Sequence, residues 1–246
     1  MNPRLKHAGI AGVLTGLGLA LEFTFFTLGG YSPQNFGSAA AALAFLRHQG
    51  DLFLRLAVVF GLAGALVRIV YVAGLAAVLR EKTPTQAVAT LYFGVLGSLG
   101  HGLVALTFYI GFPQLVALAA QDHGAAEQTW NAFALMTSGY QALGNALLGF
   151  MLVGTGWAII SRKALPVAIG WLGLLAGVVT LVEVFTSGTP LAVLGFLAYL
   201  PTFILVIAFD LWVGVTLWKS KRDLRTTSIP DAQTPEEEKG RQDRVN

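Results

Sequence analysis

The stretch FGLAGALVRIVYVAGLAAVL (residues 60–79) decides the fold. Wound as a helix it rises about 30 Å, the thickness of a bilayer's hydrocarbon core. Only Arg68 interrupts its apolar character. A charge at that depth costs about 2.5–3.5 kcal/mol on insertion scales, so a partner, water or a route to the interface must compensate it.

The rest of the chain has the same character. Of 246 residues, 55% are hydrophobic and 12% charged, and the mean hydropathy is +0.67. That is more apolar surface than a soluble domain of this length hides inside itself. The apolar runs predict six spans, at 8–29, 52–79, 86–110, 131–160, 165–185 and 191–218. They are too long and too continuous for the alternating strands of a membrane barrel, so the expected fold is an all-α bundle of six transmembrane helices. Between the first two spans, YSPQNFGSAAAALAFLRHQG (31–50) opens on turn residues and then offers a short alanine-rich helix capped by Ser38. Too short to cross, it is expected at the outer interface. The first span, which carries Glu22 and lacks a small-x-small cleavage pattern, is expected to be retained rather than removed as a signal.

Basic residues mark one side of these spans. Arg4, Lys6, Arg80, Lys82, Arg162, Lys163, Lys219, Lys221, Arg222 and Arg225 fall on one side, Arg47 and Arg55 on the other. The positive-inside rule then puts both termini in the cytoplasm. The same placement reads the basic balance as topology and excludes a nucleic-acid surface. Residues 1–218 form the predicted membrane domain, and the charged stretch 219–246 has too little apolar content to fold alone.

Six ionisable residues fall inside spans: Glu22, Arg55, Arg68, His101, Glu183 and Asp210. Helical rise puts Arg68 near the depth of Asp210 and Glu22, and Arg55 near that of Glu183. Two groupings are therefore expected: a central cluster of Glu22, Arg68, His101, Gln141, Asn145 and Asp210, and an outer pair of Arg55 with Glu183. Arg68 shares its helix face with Gly61, Gly64 and Tyr71, and His101 shares its own with Gly94, Gly97 and Ser98. Ser138, Gln141, Asn145 and Gly149 make one stripe on the fourth span. Small residues allow close helix approach, which turns these faces inward. The GxxxG spacings at Gly12/Gly16 and Gly173/Gly177 are read as packing within the chain.

Several chemistries lack their residues. There is no cysteine, which removes disulfides and thiolate chemistry. His101 is the one histidine within a span, so paired axial ligation of haem has no second ligand, and neither HExxH nor a histidine cluster suggests a metal. No cofactor and no catalytic residue is expected. Ser98, three residues before His101, is read as bonding back to its own helix rather than as a nucleophile.

The segments LEFTFF with Glu22, DLFLRL with Arg55, GYQALGNALLGFMLVGTGWAIISRKALPVAIGWLGLLAGVVTLVE with Glu183, and LPTFILVIAFDLWVGVTLW with Asp210 together resemble the DUF4386-like family of bacterial polytopic membrane proteins of unknown function. Val167 stands where that family commonly has arginine, and Asp210 where glutamate is commoner. The resemblance implies the six-span architecture, a bacterial cytoplasmic membrane and the two acidic positions, but no activity. The expected function is a buried polar cluster that binds or moves a small solute or proton, the lipid bilayer being the other partner. The alternatives are a noncatalytic accessory or sensor subunit whose ion pairs are structural, and an intramembrane enzyme.

Overall fold

The computed structural model describes residues 3–30, 38–48, 52–187 and 189–220. Those residues form seven helices: α1 (Pro3–Leu28), α2 (Ala39–His48), α3 (Leu52–Arg80), α4 (Pro84–Gln121), α5 (His123–Arg162), α6 (Val167–Thr186) and α7 (Ala192–Lys219). All but α2 are long and apolar enough to cross a membrane, and the chain is a multi-pass membrane protein. The stretch 221–246, expected as a polar tail, lies outside the described residues, as does the turn-rich 31–37.

The six long helices close into a ring. Each packs on its chain neighbour, and α1 closes the circle against α7. The alternation of direction gathers Arg4, Lys6, Arg80, Lys82, Arg162, Lys163 and Lys219 at one end, where the Lys82 ammonium donates to the carbonyls of Arg162 and Lys163 at 3.1 and 3.2 Å. We call this the basic end and the other the far end. Apolar side chains such as Leu66, Leu135, Trp171 and Leu197 point outward, as a lipid solvent requires.

Glycine sets the circumference. In lipid, helix association depends on close packing, which small residues permit. Gly9 and Gly12 of α1 meet Gly214 of α7, Gly18 meets Gly64 of α3, Gly100 of α4 meets Gly144 of α5, and Gly149 and Gly156 of α5 meet Gly177 and Gly170 of α6. The two GxxxG pairs thus pack inside the chain. A buried hydrogen bond of 2.9 Å between Thr90 and Thr155 adds a polar tie between α4 and α5.

Helices α4 and α5 extend well past the spans expected for them. At 38 and 40 residues they measure about 57 and 60 Å, nearly twice a hydrocarbon core. Pro113 and the polar run after Gln121 suggest a loop to a sequence reader. In the fold Phe108 and Phe112 meet Trp130 and Phe133 across the two helices at 5.8–6.5 Å and carry the pair onward. Asp122 caps α5 through a 3.0 Å bond from the Ala125 amide. Helix α2, capped by Ser38 as expected at 3.2 Å, buries Ala42, Leu43 and Leu46 against this extension, and Arg47 donates to the Ala119 carbonyl. It therefore docks on protein rather than resting on lipid alone.

Two glycines of α5 test the packing argument. An added methyl at Gly156 would fall 2.5 Å from the Leu174 nitrogen and 2.6 Å from the Gly170 oxygen, whereas Gly154 has open space. Gly156→Ala should lower stability by about 1–3 kcal/mol through overpacking. Gly154→Ala should leave it unchanged or raise it, both read as thermal unfolding of the purified protein in detergent.

Candidate functional site

Inside the ring lies a cavity of about 720 Å³ whose wall takes residues from all six long helices. Counting helical rise from the basic end arranges its polar groups in tiers.

The lower tier is an ion pair. Arg68 Nη2 of α3 donates to Asp210 Oδ2 of α7 at 3.0 Å, with Arg68 5% and Asp210 2% exposed. Twelve residues separate Arg68 from Arg80 and nine separate Asp210 from Lys219, so the two lie about 18 and 14 Å from the basic end, within one helical turn of each other. Helices α3 and α7 flank α1, and the pair reaches between them because α1 presents glycine there: a side chain at Gly12 would strike Tyr71 and Gly214. The fully buried Tyr71 hydroxyl lies beside the same carboxylate but has no hydrogen-bond partner.

The upper tier lies about 24–28 Å from the basic end and contains Glu22 of α1, His101 of α4, Asn145 of α5, Glu183 of α6 and Thr202 of α7. His101 Nε2 donates to Asn145 Oδ1 at 2.5 Å, and Asn145 Nδ2 donates to Glu183 Oε1 at 3.4 Å, a chain across α4, α5 and α6. The carboxamide fits this position since it accepts on one side and donates on the other. Beyond it the pairing stops. Glu183 Oε2 and the Thr202 hydroxyl are buried beside each other, and neither meets hydrogen-bond geometry with a partner. The Glu22 carboxylate lies against the bare backbone of Gly61, within the field of Arg68 but outside ion-pair reach.

Glu22, Arg68, His101, Gln141 and Asn145 of the expected central grouping line one cavity, with Asp210 paired to Arg68, but the pairings differ in two places. Glu22 does not pair with Arg68, because their levels differ by about 10 Å, nearly two turns. Arg55 does not pair with Glu183, because α3 and α6 stand on opposite sides of the ring; Glu183 instead joins His101 and Asn145, and Arg55 is exposed near the far end. Gln141 lines the cavity as expected, while Ser138 from the same stripe is exposed outside it. Ser98 donates to the Gly94 carbonyl at 2.6 Å, the back-bond expected of it. Sequence reasoning passed over Thr202 and the aromatic residues Phe23, Phe26, Phe108, Tyr199 and Phe203, which surround the upper tier and the mouth. Thr202 had one legible signal, the preceding Pro201, which removes a backbone donor and marks an irregular place in the helix.

The cavity wall includes Thr27, Ser187 and Ala192, so it reaches the far ends of α1, α6 and α7. Its lower end stops at Thr15, Arg68 and Thr180. Thr15 and Thr180 spend their hydroxyls on their own helices at 2.8 Å, so the lower wall offers little unmet hydrogen bonding besides the ion pair.

A protein-family model described as "Domain of unknown function (DUF4386)" matches residues 14–215, a stretch that contains every polar residue named in the two tiers. No curated protein and no solved structure matches the chain.

Removing one partner of a buried pair leaves a lone charge. Arg68→Gln and Asp210→Asn should each destabilise the protein by about 3–5 kcal/mol. The double change should recover part of that loss, giving a coupling of about 1–3 kcal/mol in a double-mutant cycle read by thermal unfolding. Simple additivity would show that the two groups do not compensate each other.

Proposed function

The chain belongs to the DUF4386 family, whose description assigns no activity, so its function is read from its chamber: we propose that this membrane protein binds a small solute there. In this reading the basic end faces the cytoplasm of a bacterium, by the positive-inside rule, and the chamber opens away from it. The solute enters at the far end, passes the aromatic side chains and stops at the upper tier, while the Arg68–Asp210 pair closes the way to the cytoplasm. Movement of solute or protons across the membrane would require that floor to open.

The observation that carries the reading is a cavity of about 720 Å³ that touches both Arg68 and His101. Its volume falls within the roughly 300–1,000 Å³ of small-molecule sites. Ionisable groups inside a membrane domain that face a cavity mark substrate or ion paths. An accessory subunit with purely structural charges would have its polar groups mutually satisfied. The charges of the lower tier meet each other, although Tyr71 there keeps an unpartnered hydroxyl, whereas Glu22 and Glu183 have no cation in ion-pair contact.

The absence of native cysteine makes the test direct. A cysteine at Gln141, on the chamber wall, should react with a charged, membrane-impermeant thiol reagent added outside intact cells. A cysteine at Leu143, which is 57% exposed on the lipid side, should not react from either side. A cysteine at Arg80 should react only after permeabilisation. Protection of Gln141→Cys from both sides would refute the chamber, and reaction from the cytoplasmic side alone would reverse the orientation.

A further inference from the structure

We infer that the ligand of this chamber is an organic cation, an ammonium or guanidinium group on a small apolar body, an inference that rests on the binding reading above. Among the described residues two carboxylates line the cavity, Glu22 from α1 and Glu183 from α6. The guanidinium at the cavity wall, Arg68, is already committed to Asp210 at 3.0 Å. His101 directs Nε2 to Asn145 and so donates within the tier. The upper tier is thus left with acceptors to satisfy.

The clearest of these is Glu183. The residue is only 8% exposed, its Oε1 takes the long 3.4 Å bond from Asn145, and its Oε2 has no partner. Thr202, 7% exposed, lies beside the same carboxylate, and its hydroxyl oxygen adds a further acceptor to the wall. A buried acceptor left bare costs about 1–3 kcal/mol, more when it is charged. A ligand ammonium answers this set well: it brings donors only, and positive charge where the lining is acidic. An anion would face both carboxylates without compensation. A neutral solute could satisfy the oxygens but would leave the charge.

The chamber's apolar wall points the same way. Phe23 packs on Phe203 at 5.2 Å and Tyr199 on Phe203 at 5.1 Å, and Phe26 meets Phe108 at 6.4 Å nearer the mouth. Ring faces attract a cation within about 6 Å, more strongly where water is excluded. They also offer contact to an apolar body, which a bare inorganic ion would not use.

Two thiol reagents of opposite charge separate this inference from the reading beneath it. In the Gln141→Cys protein the trimethylammonium-ethyl methanethiosulfonate should outpace its sulfonatoethyl counterpart by about tenfold or more, after normalisation to a cysteine at the exposed Gln128, because a cleft of one sign concentrates counter-ions. Glu22→Gln with Glu183→Gln should reduce that ratio toward one. Millimolar 2-phenylethylammonium should slow labelling of the Gln141→Cys protein with both glutamates in place, and 3-phenylpropionate should not. Equal rates, faster reaction with the sulfonate, or protection by phenylpropionate but not by phenylethylammonium would overturn the cation while leaving a solvent-open chamber intact. Failure of both reagents to label would instead refute the chamber itself. The ratio in the otherwise unchanged protein decides the matter even if the double glutamine variant does not fold.

Discussion

The ion pair of Arg68 with Asp210 is the constraint on which the rest of this interior depends. Two opposite charges about halfway through a membrane domain compensate each other only in direct contact, and the two helices that carry them are not neighbours in the ring. Contact at 3.0 Å is reached because α1, the helix between them, presents Gly9 and Gly12 to α7 and Gly18 to α3. The glycines and the charges therefore form one device. A larger residue on that face of α1 would separate the pair as well as the backbones.

Satisfying the lower charges within the chain has a consequence above them. Since Arg68 is held by Asp210, it cannot neutralise Glu22, two turns higher, or Glu183 across the ring. The interior is divided into a floor that is electrostatically complete and an upper level that is not. That division, rather than the mere presence of polar residues in spans, distinguishes this bundle from one whose buried groups only fix helix register.

The six spans could be read directly because hydrophobicity over about twenty residues is a local property of the chain. The far extension of α4 and α5 could not, since its stability comes from aromatic contacts between residues 108–112 and 130–133 and from α2 docking across both helices. Pro113 and Gly124 argue locally against a helix there, and tertiary packing overrides them. The site was legible in part. Depth along each helix placed Arg68 beside Asp210 correctly, because both lie within a turn of the same level. Depth says nothing about angular position around a ring. Arg55 and Glu183 were matched without knowledge that α3 and α6 stand opposite, and Glu22 was placed within reach of Arg68 although it stands about two turns higher.

A void beside unpaired carboxylates is an unusual thing for a helical bundle to keep, since side chains of an apolar interior pack to high density where the backbone allows it. Here the backbone does not allow it. Glycine contacts at α1–α7, α1–α3, α4–α5 and α5–α6 bring neighbouring helices to the closest approach their main chains permit. Each helix is thereby committed to its neighbours around the circle, and the ring cannot shrink across its diameter without prising those contacts apart. Six helices at fixed spacing enclose a space that the residues facing it must either fill or leave open. The inward residues near Glu22 are Gly61, Gly64 and Ala65 on α3, which are too small to fill it. The same residue type that ties the helices together thus keeps the chamber open, so the packing that stabilises the fold and the space that receives a ligand arise from a single choice of side chain.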